Sequence, residues 1–256
     1  MKKLLVILSF VLLHQGLMSQ PLSDTIRIND DLQLISLSPA VWMHVSFANV
    51  PGYGRVSGNG IVYVNGSEAF LFDTPWTDSL TKDLVLWLKE KMGIKIAGFV
   101  PNHWHNDCIG GLGWIKSQKI VSYANRMTVD LAKAGNLPVP DNSFSDSVNL
   151  KLGDKIIECY YPGPAHSTDN IVVWLPYERI LFAGCMVKSI DAPNLGNISD
   201  GDIKAYSSTL EKVSARYSGA MIVVPGHGSP GGRELITHTM ELAKKTQQEN
   251  LPVTSK

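Results

Sequence analysis

Between Val100 and Gly111 the chain reads VPNHWHNDCIGG, which places His103, His105, Asp107 and Cys108 within six consecutive positions. Imidazole, carboxylate and thiolate are the usual protein ligands of zinc. A solvated loop has no structural use for them at that density. Three more side chains of the same chemistry stand where apolar runs end: His166 after YYPGPA, Cys185 after RILFAG and His227 after AMIVVPG. Imidazoles packed with a carboxylate repel or stay unsatisfied unless a cation joins them. His103, His105, His166, Asp107, Cys185 and His227 are therefore the candidate metal ligands, whereas His14, His44 and His238 read as ordinary hydrogen-bonded histidines.

The elements that must bring these residues together alternate between strand and helix. VWMHVSFA, GIVYVN and EAFLFDT read as successive strands, the last two joined at Asn65-Gly66. DSLTKDLVLWLKEKMG reads as a helix, with Leu80, Leu84, Trp87, Leu88 and Met92 at helical spacing, Asp78 as the start cap and Gly93 after the end. The strand IKIAGFV then leads into the histidine cluster. The second half repeats the order: strands KIIECYYPG, IVVWLP and RILFAG, a helix over 201–217, the strand AMIVVPG and a last helix over 232–247. Two such halves predict an α/β fold of two facing sheets with helices outside. Each candidate ligand then sits in a loop at a strand end, where a sheet holds several loops rigidly on one side.

Chain-level features bound the chemistry. Lys2 and Lys3 followed by LLVILSFVLL, too short to span a bilayer, read as a secretory signal peptide over residues 1–19, leaving one domain over 20–256 in the periplasm. Later segments lack the apolar length of a membrane anchor, and Lys+Arg balance Asp+Glu at 23 each, which argues against a nucleic-acid partner and for a small-molecule substrate. Three cysteines, an odd number in an exported chain, leave at least one thiol free, paired between chains or bound to something.

HWHNDCIGG, GPAHSTDNIVVWLP, ILFAGCMVKS, LGNISD and VVPGHG, in this order and spacing, resemble the metallo-β-lactamases, specifically the first subclass of zinc-dependent β-lactamases. The resemblance runs over essentially the whole mature chain. It implies a four-layer αβ/βα sandwich and two zinc ions, the first on His103, His105 and His166, the second on Asp107, Cys185 and His227. It further implies a monomer that opens the ring amide of penicillins, cephalosporins and carbapenems by attack of a zinc-bound hydroxide. Lys188 matches the position that meets the substrate carboxylate, and Asn197 the one beside the lactam carbonyl. Asp107 would hold the second zinc and orient the nucleophile.

Other readings carry less. The rival hydrolases of the same superfamily, thioesterases and phosphodiesterases, usually read His-x-His-x-Asp-His and bridge their metals with an aspartate where this chain has Cys185. A non-catalytic zinc protein should close each metal with four protein ligands, whereas three are available per zinc here. SLTK (Ser79–Lys82) is an S-x-x-K without its S-D-N and K-T-G partners, so a solvated helix start is the better reading. Cys108 is read as lining the pocket and Cys159 as an inert buried thiol, with a Cys108–Cys159 bridge left open. NVPGYGRVSGNG (49–60) carries Val50, Pro51, Tyr53 and Val56 on a turn that should be solvated, which fits a flap gripping apolar substituents better than a plain hairpin.

Overall fold

A computed structural model describes residues 25–249. The signal-peptide assignment lies outside the described residues. The first half comprises β1 (Thr25–Asn29), β2 (Leu32–Ser38), β3 (Val41–Val50), β4 (Gly54–Asn65), β5 (Glu68–Phe72), α1 (Asp78–Met92) and β6 (Lys95–Val100). Two short helices, α2 (Asn106–Ile109) and α3 (Leu112–Ser117), then precede β7 (Tyr123–Asn125), α4 (Arg126–Ala134) and β8 (Asn142–Phe144). The second half holds β9 (Ser147–Leu152), β10 (Lys155–Tyr160), β11 (Val172–Leu175), β12 (Ile180–Gly184), α5 (Ile203–Arg216), β13 (Ile222–Pro225) and α6 (Glu234–Glu249).

Strands β1 to β6 form one sheet in sequence order, antiparallel except for the β5–β6 pair. A second sheet runs β13-β12-β11-β10-β9, again with one parallel pair, β12–β13. The period of two in strand side chains splits each run between two cores. Ile61, Tyr63, Phe70 and Phe72 meet Val173, Leu175, Ile180 and Phe182 between the sheets. Their neighbours Val62, Ala69 and Leu71 face Leu84 and Leu88 of α1 and Ile115 of α3. On the far side, Val172, Leu181 and Ala183 pack under Leu210 of α5 and Leu235 and Ile236 of α6. Burial on both faces explains why AFLF (69–72) and ILFAG are continuously apolar. The result is the four-layer αβ/βα sandwich anticipated from the sequence.

Helix α1 ends as expected and starts one residue earlier. Gly93 caps it in the left-handed conformation, φ 68°. Thr77, not Asp78, is the N-cap: its hydroxyl accepts from the Leu80 amide at 3.2 Å. Asp78 instead accepts from the Trp114 amide at 2.7 Å and so ties α1 to α3. Helices α5 and α6 fall within two residues of their expected bounds at each end.

Candidate metal centre

Every candidate ligand follows a strand of the two-sheet core. His103 and His105 leave the end of β6, and Asp107 lies in α2, the single helical turn that follows. That turn is held from below: the Thr74 amide and hydroxyl both donate to the Cys108 carbonyl, at 2.9 and 3.1 Å. His166 follows β10, Cys185 is the residue after β12, and His227 lies two residues beyond β13. The β12 exit turns sharply at Gly184, φ 55°, with the Asn102 side chain packed against its α-carbon.

Three imidazoles meet edge to face. Ring centroids lie 4.5 Å apart for His103–His105, 4.9 Å for His103–His166 and 5.3 Å for His105–His166, at interplanar angles of 77°, 87° and 89°. His103 Nε2 and His105 Nδ1 approach to 2.8 Å. Burial pushes His103 down to about 3, and burial together with the Lys188 charge holds His166 well below the usual histidine range, so both stay neutral. Neutral imidazole is the metal-binding form. The buried His166 Nδ1 has no hydrogen-bond partner.

The second group is charged. Cys185 Sγ lies 3.2 Å from Asp107 Oδ2 and 3.3 Å from His227 Nε2, and the aspartate and histidine are 3.3 Å apart. Burial opposes ionisation of Asp107, but His227 and His103 outweigh it and keep the carboxyl well below its usual range. Contact with Cys108 brings the Cys185 thiol down to about 6 against the opposing effect of burial. Burial also works against a charged His227, yet Cys185 and Asp107 raise it well above the ordinary value. A thiolate and a carboxylate thus hold a proton on His227 where a cation would sit. The donor set fits a metal: three imidazoles in one group, and sulfur, oxygen and nitrogen in the next.

Both groups open into one cleft of about 650 Å³. Val50, Tyr53 and Val56 from the β3–β4 hairpin line it together with Trp76, His105, Asp107, His166, His227, Lys188 and Asn197. The hairpin also reaches the ligands directly. The Ser57 carbonyl accepts from His227 Nδ1, and the Asn59 amide group donates to the Pro225 and Gly228 carbonyls at 2.9 and 2.8 Å. Lys188 is buried, its Nζ donating to the Cys185 carbonyl at 2.8 Å. Asn197 uses its Oδ1 to accept from the Ser199 amide at 3.1 Å, which leaves its NH₂ as the end available to a ligand.

Some readings change. Cys108 does not line the cleft: it is buried beneath it, 3.2 Å from His103 Nδ1, on the ring edge away from His105. Its position inside a helical turn packed on the sheet turns the side chain inward. Cys108, Cys159 and Cys185 are all free, with Cys159 in the inter-sheet core. His44 bonds the Asp73 carbonyl and His238 the Ala192 carbonyl, both at 3.0 Å, as ordinary histidines. Ser79 and Lys82 are exposed at the start of α1 and do not line the cleft. Asp200 was not singled out from the sequence, yet its Oδ2 bonds His105 Nε2 at 2.8 Å. Its position three residues after Asn197 in LGNISD is the only local signal.

The model of the metallo-beta-lactamase superfamily matches residues 53–227, spanning all six candidate ligands. This chain belongs to that superfamily. A metallo-beta-lactamase type 2 of Bacteroides fragilis is 48% identical over 221 residues, 86% of this chain and 89% of that one. The type 2 enzyme of Pseudomonas aeruginosa is 37% identical over 225 residues, 88% of this chain and 89% of its own. Among solved structures, VMB-1 superposes with a TM-score of 0.82 at 39% identity, covering 86% of this chain and 99% of that one. The family members share the fold that the two sheets and their helices build here.

Proposed function

We propose that this chain is a zinc-dependent β-lactamase that hydrolyses the ring amide of penicillins, cephalosporins and carbapenems and so confers resistance to them. The observation that carries this reading is the convergence of a three-imidazole group and an Asp107–Cys185–His227 group on one cleft. Relatives named metallo-beta-lactamase type 2, similar over most of their length, support it. In this reading two zinc ions bind, one on His103, His105 and His166 and one on Asp107, Cys185 and His227. Bound zinc supplies Lewis acidity and an activated water at neutral pH without a protein base.

The chain's own residues do the rest. Lys188, which lines the cleft and is held by its bond to the Cys185 carbonyl, offers an ammonium to the substrate carboxylate. The free amide of Asn197 can donate to the lactam carbonyl oxygen as charge builds on it. Asp107 orients the attacking water from a position fixed by the α2 turn. Val50, Tyr53 and Val56 cover apolar substituents from the flap side and exclude water. We place the enzyme in the periplasm as a monomer, with residues 1–19 removed on export. Among the described residues no helix is long and apolar enough to cross a membrane.

Hydrolysis of nitrocefin with and without a zinc chelator tests the reading. Loss on chelation and return on adding zinc are expected. Ser79→Ala should keep near-normal activity, because Ser79 is a solvated residue in the first turn of α1; activity that survives chelation and vanishes in Ser79→Ala would reverse the assignment. Lys188→Ala should raise KM for carboxylate-bearing substrates by about tenfold or more with kcat changed little, since the charge holds a group that does not react. Zinc content is measured alongside, because Nζ also supports the Cys185 carbonyl. A large fall in kcat at constant KM would place Lys188 in the chemistry instead.

A further inference from the structure

The residue between the first two ligand histidines is itself tied to the site. Trp104 Nε1 donates to Asp200 Oδ2 at 2.8 Å, and the same oxygen bonds His105 Nε2 at 2.8 Å. The other carboxylate oxygen, Oδ1, is buried and has no partner. Asp200 stands in the loop before α5, 95 residues from His105, and its side chain is 31% exposed. Trp104 is fixed independently, packed against the core between the first sheet and its helices, with its ring 5.3 Å from that of His105.

A carboxylate can only accept, so the bond to Asp200 requires the proton of His105 to reside on Nε2. In the neutral ring, the form that binds metal, this leaves a lone pair on Nδ1, the atom facing His103 Nε2 at 2.8 Å. The orientation of Asp200 therefore decides which His105 nitrogen is free to bind a metal. We propose that Trp104 is a positioning residue for the first metal group: its indole N–H locks the Asp200 carboxylate, which in turn holds His105 in the Nδ1-ligating tautomer. The proposal rests on the zinc reading above. It assigns Trp104 a role separate from the apolar wall it also gives the cleft.

Trp104→Phe keeps an aromatic wall and removes only the N–H. Zinc affinity is read by competition with a chromophoric chelator in a Cys185→Ser background, so that the first group is reported alone. Trp104→Phe is expected to weaken zinc about 3- to 30-fold, within or just below the usual effect of a lost partner behind a ligand. In an Asp200→Ala background, which removes the shared acceptor, the same substitution should add less than about twofold, because the path through Asp200 is already broken. Unchanged affinity in Trp104→Phe, or an equal loss with and without Asp200, would overturn the proposal; the second outcome would mean that Trp104 acts by packing. If the Cys185→Ser chain with Trp104 intact takes up no zinc, the first-site assignment fails and the proposal with it. A measurement without variants adds an independent check: nitrogen-15 NMR of the zinc-free protein should show the His105 proton on Nε2, and a proton on Nδ1 would contradict the lock.

Discussion

Cys185→Ser should lose the second zinc while keeping the first. The thiolate is the soft anionic member of its group, 3.2 Å from Asp107 and 3.3 Å from His227, and a serine hydroxyl stays protonated at neutral pH. Loss of a hydrogen-bond partner behind a ligand already weakens metal binding by roughly 10–100-fold, and loss of the ligand itself should exceed about a hundredfold. The His103–His105–His166 group shares no bond with Cys185 that the substitution breaks, so one zinc per chain should remain, with kcat/KM reduced on the order of a hundredfold. Cys159→Ser serves as the control. It lies in the inter-sheet core, where the change affects stability and not zinc. Retention of both metals at wild-type affinity in Cys185→Ser would refute the ligand assignment.

A large effect on stability is expected at Gly184, the residue before that cysteine, where a positive φ and a close contact coincide. Its φ of 55° disfavours any side chain by about 1–2 kcal/mol. An added Cβ would also run into the Asn102 side chain, which is buried and bonded to the Ile171 carbonyl and cannot swing away. Overpacking of that kind costs about 1–3 kcal/mol. Gly184→Ala should therefore lower the stability of the zinc-free protein by about 2–5 kcal/mol in urea unfolding. Gly93→Ala isolates the backbone contribution: φ is 68°, but an added Cβ meets nothing within 4 Å. Equal losses at the two positions would show that the Asn102 contact does not constrain the β12 exit.

What the sequence revealed follows from which interactions are local. The unbroken apolar runs AFLF and ILFAG, buried on both faces, and the helical spacing of Leu80, Leu84 and Leu88 are set by one element packing on its neighbours, so strands β3 to β6 and β10 to β13 and helices α1, α5 and α6 were readable. Helix α2, four residues long, is too short to show a period, and β7 and β8 have three residues each. Helix α4 carries a local signal, the Asn125 side chain accepting from the Met127 amide, but at nine residues its apolar spacing is short. The six ligands stood out because their side-chain types are costly to cluster for any other purpose. Asp200, Trp104 and Asn59 did not, since each is defined by contacts to residues tens of positions away. Cys108 was misplaced for the same reason: the direction of its side chain depends on how α2 sits on the sheet, which HNDC alone does not reveal.

The central claim is that the two ligand groups form one hydrolytic centre. Stepwise addition of zinc to the metal-free protein, with bound zinc and nitrocefin hydrolysis recorded at each step, tests it most directly. Binding should saturate at two zinc ions per chain, and full activity should be reached only as both groups fill. Saturation at zero, or hydrolysis that proceeds at its full rate before any zinc is added, would contradict the account.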